Sequence, residues 1–495
     1  MQPNFGGIVG SIGHYSLSTN YTLADCVNHG KLTFKTSLTA TAATRNFFGG
    51  VVGWTSVNVS NCTNHGEVQI ESEGLYAYFG GVVGYAKDGS LTQNCTNYGP
   101  FNLKHDVSGC TLSDVYSGTD KVRTFSGGVI GYACDIVSNC HNYGAGQCTV
   151  NTMNAYCGGA IGYANTGAPI SNISNRGAFT YNINDIAYVL SDYTGSTYHY
   201  IGGVIGKGDA NIDTVVNYEQ GALAVNTNVA GDFGGVVGYA LGSNYKLENQ
   251  APITLDFTYL GQTCNKACFI GGVIAKNYSE VTENLVSVDG CINSGKLTIK
   301  NLSYSNYIYT GGIVGSVAKG VGTFKDCISE GGIEVDAPSI FRLGGVAGYT
   351  AACDVTNSSF TGNITTKRIL AKSAVGGLIG HTAQGIRGGS VNCSINAQGK
   401  SGIYVGGVMG TSSPDTWTGI TVKSVVTAST GAYCGALLGG ASSTITIVLG
   451  SAAAPVNISK SSTVQGVAIR GVDSDPLTGR PENVTFRKDK VVYIN

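Results

Sequence analysis

A short apolar segment recurs along the whole chain at regular spacing. Two small residues, two apolar residues and a further glycine form it, as in Gly80-Gly81-Val82-Val83-Gly84. The segment occurs thirteen times at intervals of 29 to 47 residues, and only Ala275 replaces the final glycine. Repeats of about 20 to 50 residues are typical of solenoids, propellers and arrays. The repeats start at Gly6, Gly49, Gly80, Gly127, Gly158, Gly202, Gly234, Gly271, Gly311, Gly344, Gly376, Gly406 and Gly435.

A polar motif and a short alternating run follow the apolar segment in most repeats. One example is Asn61-Cys62-Thr63-Asn64-His65-Gly66, and the run after it is Glu67-Val68-Gln69-Ile70. Alternation of apolar and polar residues, bounded by Gly and Asn, predicts short β-strands. No segment has a helical period over ten or more residues. We therefore predict three short strands in each repeat.

Stacking of these repeats predicts an all-β fold, a parallel β-helix (β-solenoid) of about 13 coils with a C-terminal cap. One coil cannot bury its apolar face alone, but stacked coils bury a continuous core. A propeller is disfavoured, because blades need four antiparallel strands and their usual number is about four to eight. The predicted domains are the solenoid repeats, residues 1–440, and the final coils with the cap, residues 441–495.

Stacking also places equivalent residues in columns. Ile173 replaces the Cys of the polar motif in one repeat, so we predict that this position is a buried column of free thiols rather than a metal site. The second Asn of the motif predicts a column whose amides hydrogen-bond from coil to coil. The Cys column is Cys26, Cys62, Cys95, Cys140, Cys291 and Cys327; the Asn column is Asn28, Asn64, Asn97, Asn142, Asn175, Asn217, Asn249 and Asn293.

The apolar segment has apolar residues at successive positions, so both of its faces should be covered by other residues. In a straight strand Val51 and Val52 would face opposite sides, so either a loop or a partner covers the outer side or the Gly columns make that side flat and shallow. A column of rings follows the segment and would be either a platform for sugars or a ladder that seals a corner of the coil; we expect the ladder. Its members are Trp54, Tyr85, Tyr132, Tyr163, Tyr239 and Tyr349.

The longer repeats gain most of their extra residues after the third strand. Insertions at equivalent positions emerge on one side of a solenoid, which is often the binding side. The inserts lie around residues 35–46, 104–125, 182–200, 255–269 and 300–309. They are rich in Tyr, whose ring combines an apolar face with a hydroxyl. Packing of these rings onto the coils is the alternative interpretation. The candidate binding residues are Tyr188, Tyr193, Tyr198, Tyr200, Tyr259, Tyr304, Tyr307 and Tyr309.

The composition and the motifs of the chain argue against several classes of partner, cofactor and metal. Lys and Arg number 29 against 30 Asp and Glu, and no basic stripe is present, so we expect no nucleic-acid partner. No apolar run reaches 18 residues, which predicts no membrane-spanning segment. No nucleotide-binding loop or zinc motif occurs, so we expect neither a cofactor nor a metal. Because the chain opens directly on a repeat, we expect residues, and with them a signal sequence, to precede Met1.

Catalysis by paired carboxylates would be the chemistry of a polysaccharide lyase or hydrolase on a β-helix. The best candidates are Asp185, Asp192, Asp209 and Asp213, which lie close together in the sequence. Solvated loop acids and turn formers are the favoured interpretation of these residues, so we expect no enzymatic activity.

The two motifs together resemble the GLUG-motif repeats of bacterial surface proteins. Gly377-Leu378-Ile379-Gly380 matches that motif directly, and most other repeats match it with Val or Ile in place of Leu, over about residues 5–440. The resemblance implies an extracellular stalk or adhesin-like region without catalytic residues. We therefore expect a cell-surface or secreted β-solenoid that displays a Tyr-rich loop face for a glycan or a host-surface protein. The alternatives are a filament subunit that self-assembles through apolar solenoid faces, and the lyase or hydrolase.

Overall fold

The fold was taken from a computed structural model that describes most of the chain. The described residues are 3–13, 21–36, 45–108, 122–165, 167, 169–185, 197–257, 267–278, 285–317, 321–351, 353–382, 384–413, 415–441, 444–469, 477–479 and 484–495. Strands and turns fill these ranges, and none of them contains a helix.

The chain divides into two compact units. The first comprises Met1–Ala240 and Gln250–Thr258, and the second comprises Leu241–Asn249 and Tyr259–Asn495. Each unit contains three sheets, named A, B and C here in the order in which a coil visits them. Nearly all neighbouring strands in these sheets are parallel, as in Val68–Ser72 beside Phe101–Asp106. The prediction of a parallel β-solenoid is therefore confirmed, while the domain boundary at residue 440 stays a prediction.

In the first unit, sheets A and B hold seven strands each. Sheet A consists of Asn4–Gly6, Arg45–Gly49, Tyr76–Gly80, Arg123–Gly127, Asn154–Gly158, Tyr198–Gly202 and Asp232–Gly234. Sheet B consists of Val9–Ile12, Val52–Thr55, Val83–Ala86, Ile130–Ala133, Ile161–Ala164, Ile205–Gly208 and Val237–Ala240. Sheet C consists of Thr22–Ala24, Val27–Asn28, Leu32–Thr36, Asn58–Ser60, Thr63–Asn64, Val68–Ser72, Thr92–Gln93, Thr96–Asn97, Phe101–Asp106, Val137–Asn142, Gly146–Thr152, Ile170–Asn175, Phe179–Asp185, Ile212–Asn217, Leu223–Thr227 and Ile253–Phe257.

The second unit repeats this arrangement with six strands in each of sheets A and B. Sheet A consists of Cys268–Gly271, Tyr304–Gly311, Ser339–Gly344, Ala374–Gly376, Tyr404–Gly406 and Tyr433–Gly435. Sheet B consists of Ile274–Asn277, Val314–Val317, Ala347–Thr350, Ile379–Thr382, Met409–Ser412 and Leu438–Gly440. Sheet C consists of Asn244–Asn249, Val286–Asp289, Ile292–Asn293, Leu297–Lys300, Val321–Lys325, Ile328–Ser329, Ile333–Asp336, Val355–Thr356, Ser359–Ile369, Ile386–Arg387, Ser390–Gly399, Asp415–Thr418, Thr421–Ala428, Ile445–Leu449, Val456–Ser459, Thr463–Val464, Val467–Ala468, Val484–Lys488 and Val491–Ile494.

The apolar segment forms a sharp corner rather than one straight strand. In the second coil, sheet A ends at Gly49 and sheet B begins at Val52, so the chain bends between them. Both Val51 and Val52 are fully buried. The expectation of one straight strand through both residues is therefore wrong, whereas the expectation that both are covered agrees with their burial.

The buried Asn column is confirmed as a hydrogen-bonded ladder. Asn64 Nδ2 donates to Asn97 Oδ1 (2.8 Å), and Asn97 Nδ2 donates in turn to Asn142 Oδ1 (2.9 Å). Each of these amides also donates to the carbonyl two residues later, such as Gly99 O at 2.9 Å. In the bonds between coils from Asn28 to Asn217, and in that from Asn249 to Asn293, the donor lies in the earlier coil. The ladder thus satisfies buried polar groups while it fixes the register of sheet C.

The thiol column is also confirmed, with one partly exposed member at its start. Cys62, Cys95, Cys140, Cys291 and Cys327 are free and buried, and Cys26 is half-buried. Each of these five buried thiols donates to the carbonyl two residues before it; for Cys62 this acceptor is Ser60 O at 3.4 Å. Burial of this position explains why the apolar side chain of Ile173 can replace Cys there, while the bond to the carbonyl is an additional contact that only the Cys members make.

The residue before each Cys turns the chain and forms a second, exposed ladder. Asn61, Asn94 and Asn139 have φ of 56°, 53° and 51°, a left-handed conformation that Asn tolerates better than most residues. Asn94 Nδ2 donates to Asn61 Oδ1 (3.0 Å), and Asn139 Nδ2 donates to Asn94 Oδ1 (3.1 Å). In this surface ladder the donor lies in the later coil.

Candidate binding surface

A second apolar cluster lies on the side of sheet A that faces away from sheet C. Phe48 packs on Phe34 of sheet C, with ring centroids 5.6 Å apart. Adjacent residues of a strand point to opposite faces, so Phe47 faces away from sheet C. Phe47 and its equivalents pack with rings of sheet B to form a continuous cluster in the first unit, buried at its centre and half-buried elsewhere. This aromatic face comprises Phe47, Trp54, Tyr76, Tyr78, Tyr85, Phe125, Tyr132, Tyr156, Tyr163, Tyr200 and Tyr239.

The glycines of the apolar segment bring the two ring columns together. A Cβ on Gly80 would lie 1.9 Å from Val83 O, so only glycine allows the bend at this position. A Cβ on Gly84 would lie 2.5 Å from Gly53 O and 2.7 Å from Phe48 O. Sheet B therefore approaches the backbone of sheet A so closely that no side chain fits between them, and the rings on either side of the corner meet.

The rings stack along each column and meet edge to face across the corner. Phe47 and Tyr78 are stacked at 4.8 Å, as are Tyr78 and Phe125. Tyr85 of sheet B meets the Tyr78 ring at 5.2 Å and 90°, a favourable T-shaped geometry. Stacking covers the faces of these rings, and Phe47, Tyr78 and Phe125 are only 2%, 6% and 2% exposed. The ring column after the apolar segment is thus a packed ladder in the first unit rather than a set of open platforms.

Burial keeps the phenols of the aromatic face protonated. It raises the pKa of Tyr78 and of Tyr156 to about 12. Burial is also the main cause that raises the pKa of Tyr200, and the carboxylate of Asp232 raises it further. These hydroxyls therefore remain neutral and able to donate hydrogen bonds throughout the physiological pH range.

A polar cluster interrupts the ring column of sheet B. Lys207 stands in register with Tyr163 and Tyr239, where the neighbouring coils have rings. Its Nζ lies 4.5 Å from the Tyr163 ring centroid, donates to the Tyr163 hydroxyl (3.1 Å) and pairs with Asp209 (2.9 Å). The Tyr163 hydroxyl itself donates to Asp209. This cluster is largely buried, and Lys207 separates the Tyr163 ring from the Tyr239 ring within the column.

The edge of the aromatic face carries Arg and Tyr at the point where three inserts return. Arg45, Arg123 and Tyr198 each begin a strand of sheet A, and residues 37–44, 109–121 and 186–196, which precede them, lie outside the described ranges. Pairing of the strands places these three residues in one column with Tyr76 and Asn154. In the first unit, all three segments therefore rejoin the solenoid at the same edge.

The structure places the predicted tyrosines on sheet A or outside the described residues. Tyr198 is 43% exposed and lies 5.9 Å from Tyr200, whose ring belongs to the aromatic face. Tyr307 and Tyr309 are half-buried in the second unit, where Arg342 lies 4.8 Å above the Tyr307 ring and Tyr309 stacks on Phe269 at 5.2 Å. The described tyrosines are thus strand residues, and those that stack serve packing. Outside the described residues, or without a described side chain, lie Tyr188, Tyr193, Tyr259 and Tyr304.

Sequence reasoning missed a further ladder on the surface of the first unit. His29, His65, Tyr98 and Tyr143 occupy the fifth position of the polar motif and stack at 4.8–4.9 Å. Arg176 continues the ladder, 5.8 Å above the Tyr143 ring. The recurring planar residue after the second Asn was the signal for it. Because the ring faces cover one another, only their edges are accessible along the ladder.

The carboxylates considered for catalysis do not form a described pair. Asp209 is engaged by Lys207 and Tyr163, and Asp213 accepts from its neighbour Thr214 (3.0 Å). Asp192 and the Asp185 side chain lie outside the described part. Within the described ranges, no three His, Cys, Asp or Glu residues are grouped in a way that would hold a metal ion, and no helix is long and apolar enough to cross a membrane.

Comparison with known families bears on one repeat of the second unit. Residues 341–365, which include the corner at Gly344 and the following part of sheet C, match the family described as the GLUG motif. This chain carries the GLUG motif. The corner at Gly344 and the start of the strand Ser359–Ile369 therefore lie within the part of this chain that matches the motif. No curated protein and no solved structure matches the chain.

Proposed function

We propose that this GLUG-repeat chain is a non-enzymatic β-solenoid that binds a glycan or a protein through the edge of its aromatic face. One observation carries the proposal: Tyr198 is 43% exposed in a column with Arg45 and Arg123, where three inserts rejoin the first unit. Tyr and Arg are, with Trp, the residues enriched at the energetic centres of binding surfaces. Location at a cell surface or in secreted form is part of the proposal and rests on the resemblance of the repeats.

The geometry favours hydrogen bonding and contact with ring edges over stacking of sugars along the columns. The faces of Tyr78 and Tyr156 are covered by Phe125, which lies 4.8 Å from both. Arg123 Nε is buried and has no hydrogen-bond partner among the described residues. A ligand at this edge would meet the exposed side chains of Arg45 and Tyr198, with the buried Arg123 Nε in the same column.

Replacement of Tyr198 by Ala tests the proposal against a matched control. Tyr143 is 42% exposed and also stacked, but it belongs to the ladder of His29, His65 and Tyr98. Binding should be measured on an array of glycans and on immobilised surface proteins. We expect Tyr198→Ala to lower affinity about tenfold or more, as loss of a binding hot spot does, and Tyr143→Ala to leave it unchanged. Equal binding by the wild type and Tyr198→Ala would contradict the proposal.

A further inference from the structure

A half-buried arginine lies in a column of rings on sheet A of the second unit. Strand pairing aligns Arg342 with Tyr309 of the preceding coil and with Ala374 of the following one. Phe269 and Tyr404 continue the column in the two directions. Arg342 therefore stands within the stack of described coils and not at either end of it.

The guanidinium of Arg342 reaches over the small side chain of Ala374 to sheet B. Arg342 Nη1 donates to Thr411 Oγ1 (2.7 Å), which belongs to a strand two coils further along. His381 Nδ1 lies 3.0 Å from the same Thr411 oxygen. Tyr349 stacks on the His381 ring at 5.5 Å. The Thr411 hydroxyl is thus held between a guanidinium and an imidazole.

This guanidinium has no negative partner. Among the described residues, Thr411 is the only hydrogen-bond acceptor for Arg342, and no carboxylate forms an ion pair with it. The guanidinium carbon lies 4.8 Å from the Tyr307 ring centroid. Burial, followed by the positive charge of Arg342, lowers the pKa of His381 to about 4, so the imidazole is neutral at physiological pH. The Arg342 cluster, which carries one uncompensated positive charge, consists of Arg342, Tyr307, Tyr309, Tyr349, His381 and Thr411.

In the first unit, a cation among rings has a partner within its own coil. Lys207 lies 4.5 Å from the Tyr163 ring centroid, and its Nζ pairs with Asp209 at 2.9 Å. A charge that is partly removed from water is costly unless it is paired. Arg342 is half-buried, so a partner can still reach it from solvent. A guanidinium has five N–H donors, and those that Thr411 does not occupy can bind two oxygens of an anion side by side.

We infer that the Arg342 cluster binds an acidic glycan, whose carboxylate or sulfate group pairs with the guanidinium. One positive charge balances the single negative charge of a uronate or a sulfate ester, whereas a phosphate group carries close to two. The rings of the cluster offer apolar faces to a sugar, and the imidazole and phenol groups can hydrogen-bond to its hydroxyls. No member of the cluster is aliphatic, so no apolar pocket for a peptide side chain accompanies the cation. The site lies in the second unit and does not rest on the function proposed for Tyr198.

Isothermal titration calorimetry of the full chain with trigalacturonate, sulfated galactotriose and neutral galactotriose tests the inference. We expect saturable binding of at least one of the two acidic probes, weakened by added salt, and no binding of galactotriose. Binding of one acidic probe alone identifies whether a carboxylate or a sulfate is the preferred group, and either result supports the inference.

Replacement of Arg342 by Gln removes the charge but keeps an N–H donor for Thr411. We expect Arg342→Gln to weaken binding of the acidic probe about tenfold or more, because a hydrogen bond to a charged group is lost. Arg368→Gln is the matched control in the same unit: Arg368 is exposed and paired with Asp336, so its loss should not change the affinity. Tyr198→Ala should also leave the affinity unchanged, which separates this site from the one proposed in the first unit.

A second measurement needs no variant. The pKa of His381, followed by NMR in the wild-type chain, should rise when the acidic probe binds, because the anion offsets the positive charge of Arg342. Absence of binding by both acidic probes, equal binding of galactotriose, or equal affinity of the wild type and Arg342→Gln would overturn the inference. Tighter binding of N-acetyl triglycine than of either acidic sugar would also overturn it, in favour of a peptide carboxylate.

Discussion

The buried Asn ladder allows a sharp test by an isosteric change, Asn97→Asp. Asn97 is fully buried, accepts from Asn64 Nδ2 (2.8 Å) and donates to Gly99 O and Asn142 Oδ1, both at 2.9 Å. The substitution keeps the shape of the side chain but replaces the NH₂ group by an oxygen. The two acceptors then face a group that has one donor when protonated and none when ionised.

The magnitude follows from these contacts and from burial. Loss of one net hydrogen bond costs about 1 kcal/mol even in the protonated state. Full burial raises the pKa of a carboxyl group by about 3 units, which corresponds to about 4 kcal/mol. Because the folded-state pKa lies above the unfolded value of about 3.9, the ionisation cost is absent below that pH and grows as pH rises. We expect Asn97→Asp to be destabilised by about 5 kcal/mol at neutral pH and by far less near pH 4.

The matched control is Asn94→Asp in the same coil. Asn94 belongs to the exposed ladder, in which Asp25 and Asp326 are the natural residues of other coils and also have positive φ. Its substitution should cost less than about 1 kcal/mol at any pH.

The free energy of unfolding of both variants is measured by chemical denaturation, followed by circular dichroism, at pH values between 4 and 8. Amide hydrogen exchange in residues 58–106 locates the loss, since a solenoid can open locally. The ladder argument fails if Asn97→Asp costs no more than Asn94→Asp at neutral pH, or if the cost of Asn97→Asp is independent of pH.

Two further outcomes are expected. Gly84→Ala should lower the free energy of unfolding by about 2–3 kcal/mol, because the new Cβ would lie 2.5 Å from Gly53 O and 2.7 Å from Phe48 O. Gly167→Ala is the control: no atom lies within 4 Å of its Cβ, so the same denaturation assay should show no change. Burial lowers the pKa of His105 to about 4 in the folded state, where His105 Nε2 donates to Gly74 O. The neutral ring therefore contributes its full stabilisation above about pH 6.5. The free energy of unfolding should fall by about 3 kcal/mol as the pH drops from 6.5 to 4. A His105→Gln variant with the same loss over this range would show that other groups cause it.

Much of the fold follows from the sequence because stacking turns a repeat into columns. Interchange of Cys140 with Ile173 indicated a buried apolar position, and recurrence of Asn at one position of the polar motif indicated an amide ladder. Both inferences need only the parallel register of neighbouring coils. The course of the backbone within one coil is harder to predict, because the pattern of apolar residues does not show where the chain bends.

The corner at the apolar segment shows this limit. Val51 and Val52 read as one strand because both are apolar and β-branched, and only the approach of Gly84 to the Phe48 backbone shows that the chain turns there. The candidate site had the same difficulty. Sequence located the tyrosines near inserts. Tyr198 and Tyr200 lie on the same face of one strand, and Tyr198 remains 43% exposed because it is the first residue of that strand, which the sequence pattern does not reveal.

The two Asn ladders have an electrostatic consequence for the length of the solenoid. The buried amides of the first unit donate toward later coils, as Asn64 does to Asn97, and the exposed amides donate toward earlier coils, as Asn94 does to Asn61. Their dipoles oppose each other, unlike the peptide dipoles of an α-helix, which add up to a macrodipole. Strand backbones contribute little net dipole. Each added coil therefore extends both ladders without increasing the net dipole along the solenoid. Electrostatic energy thus does not limit the number of repeats.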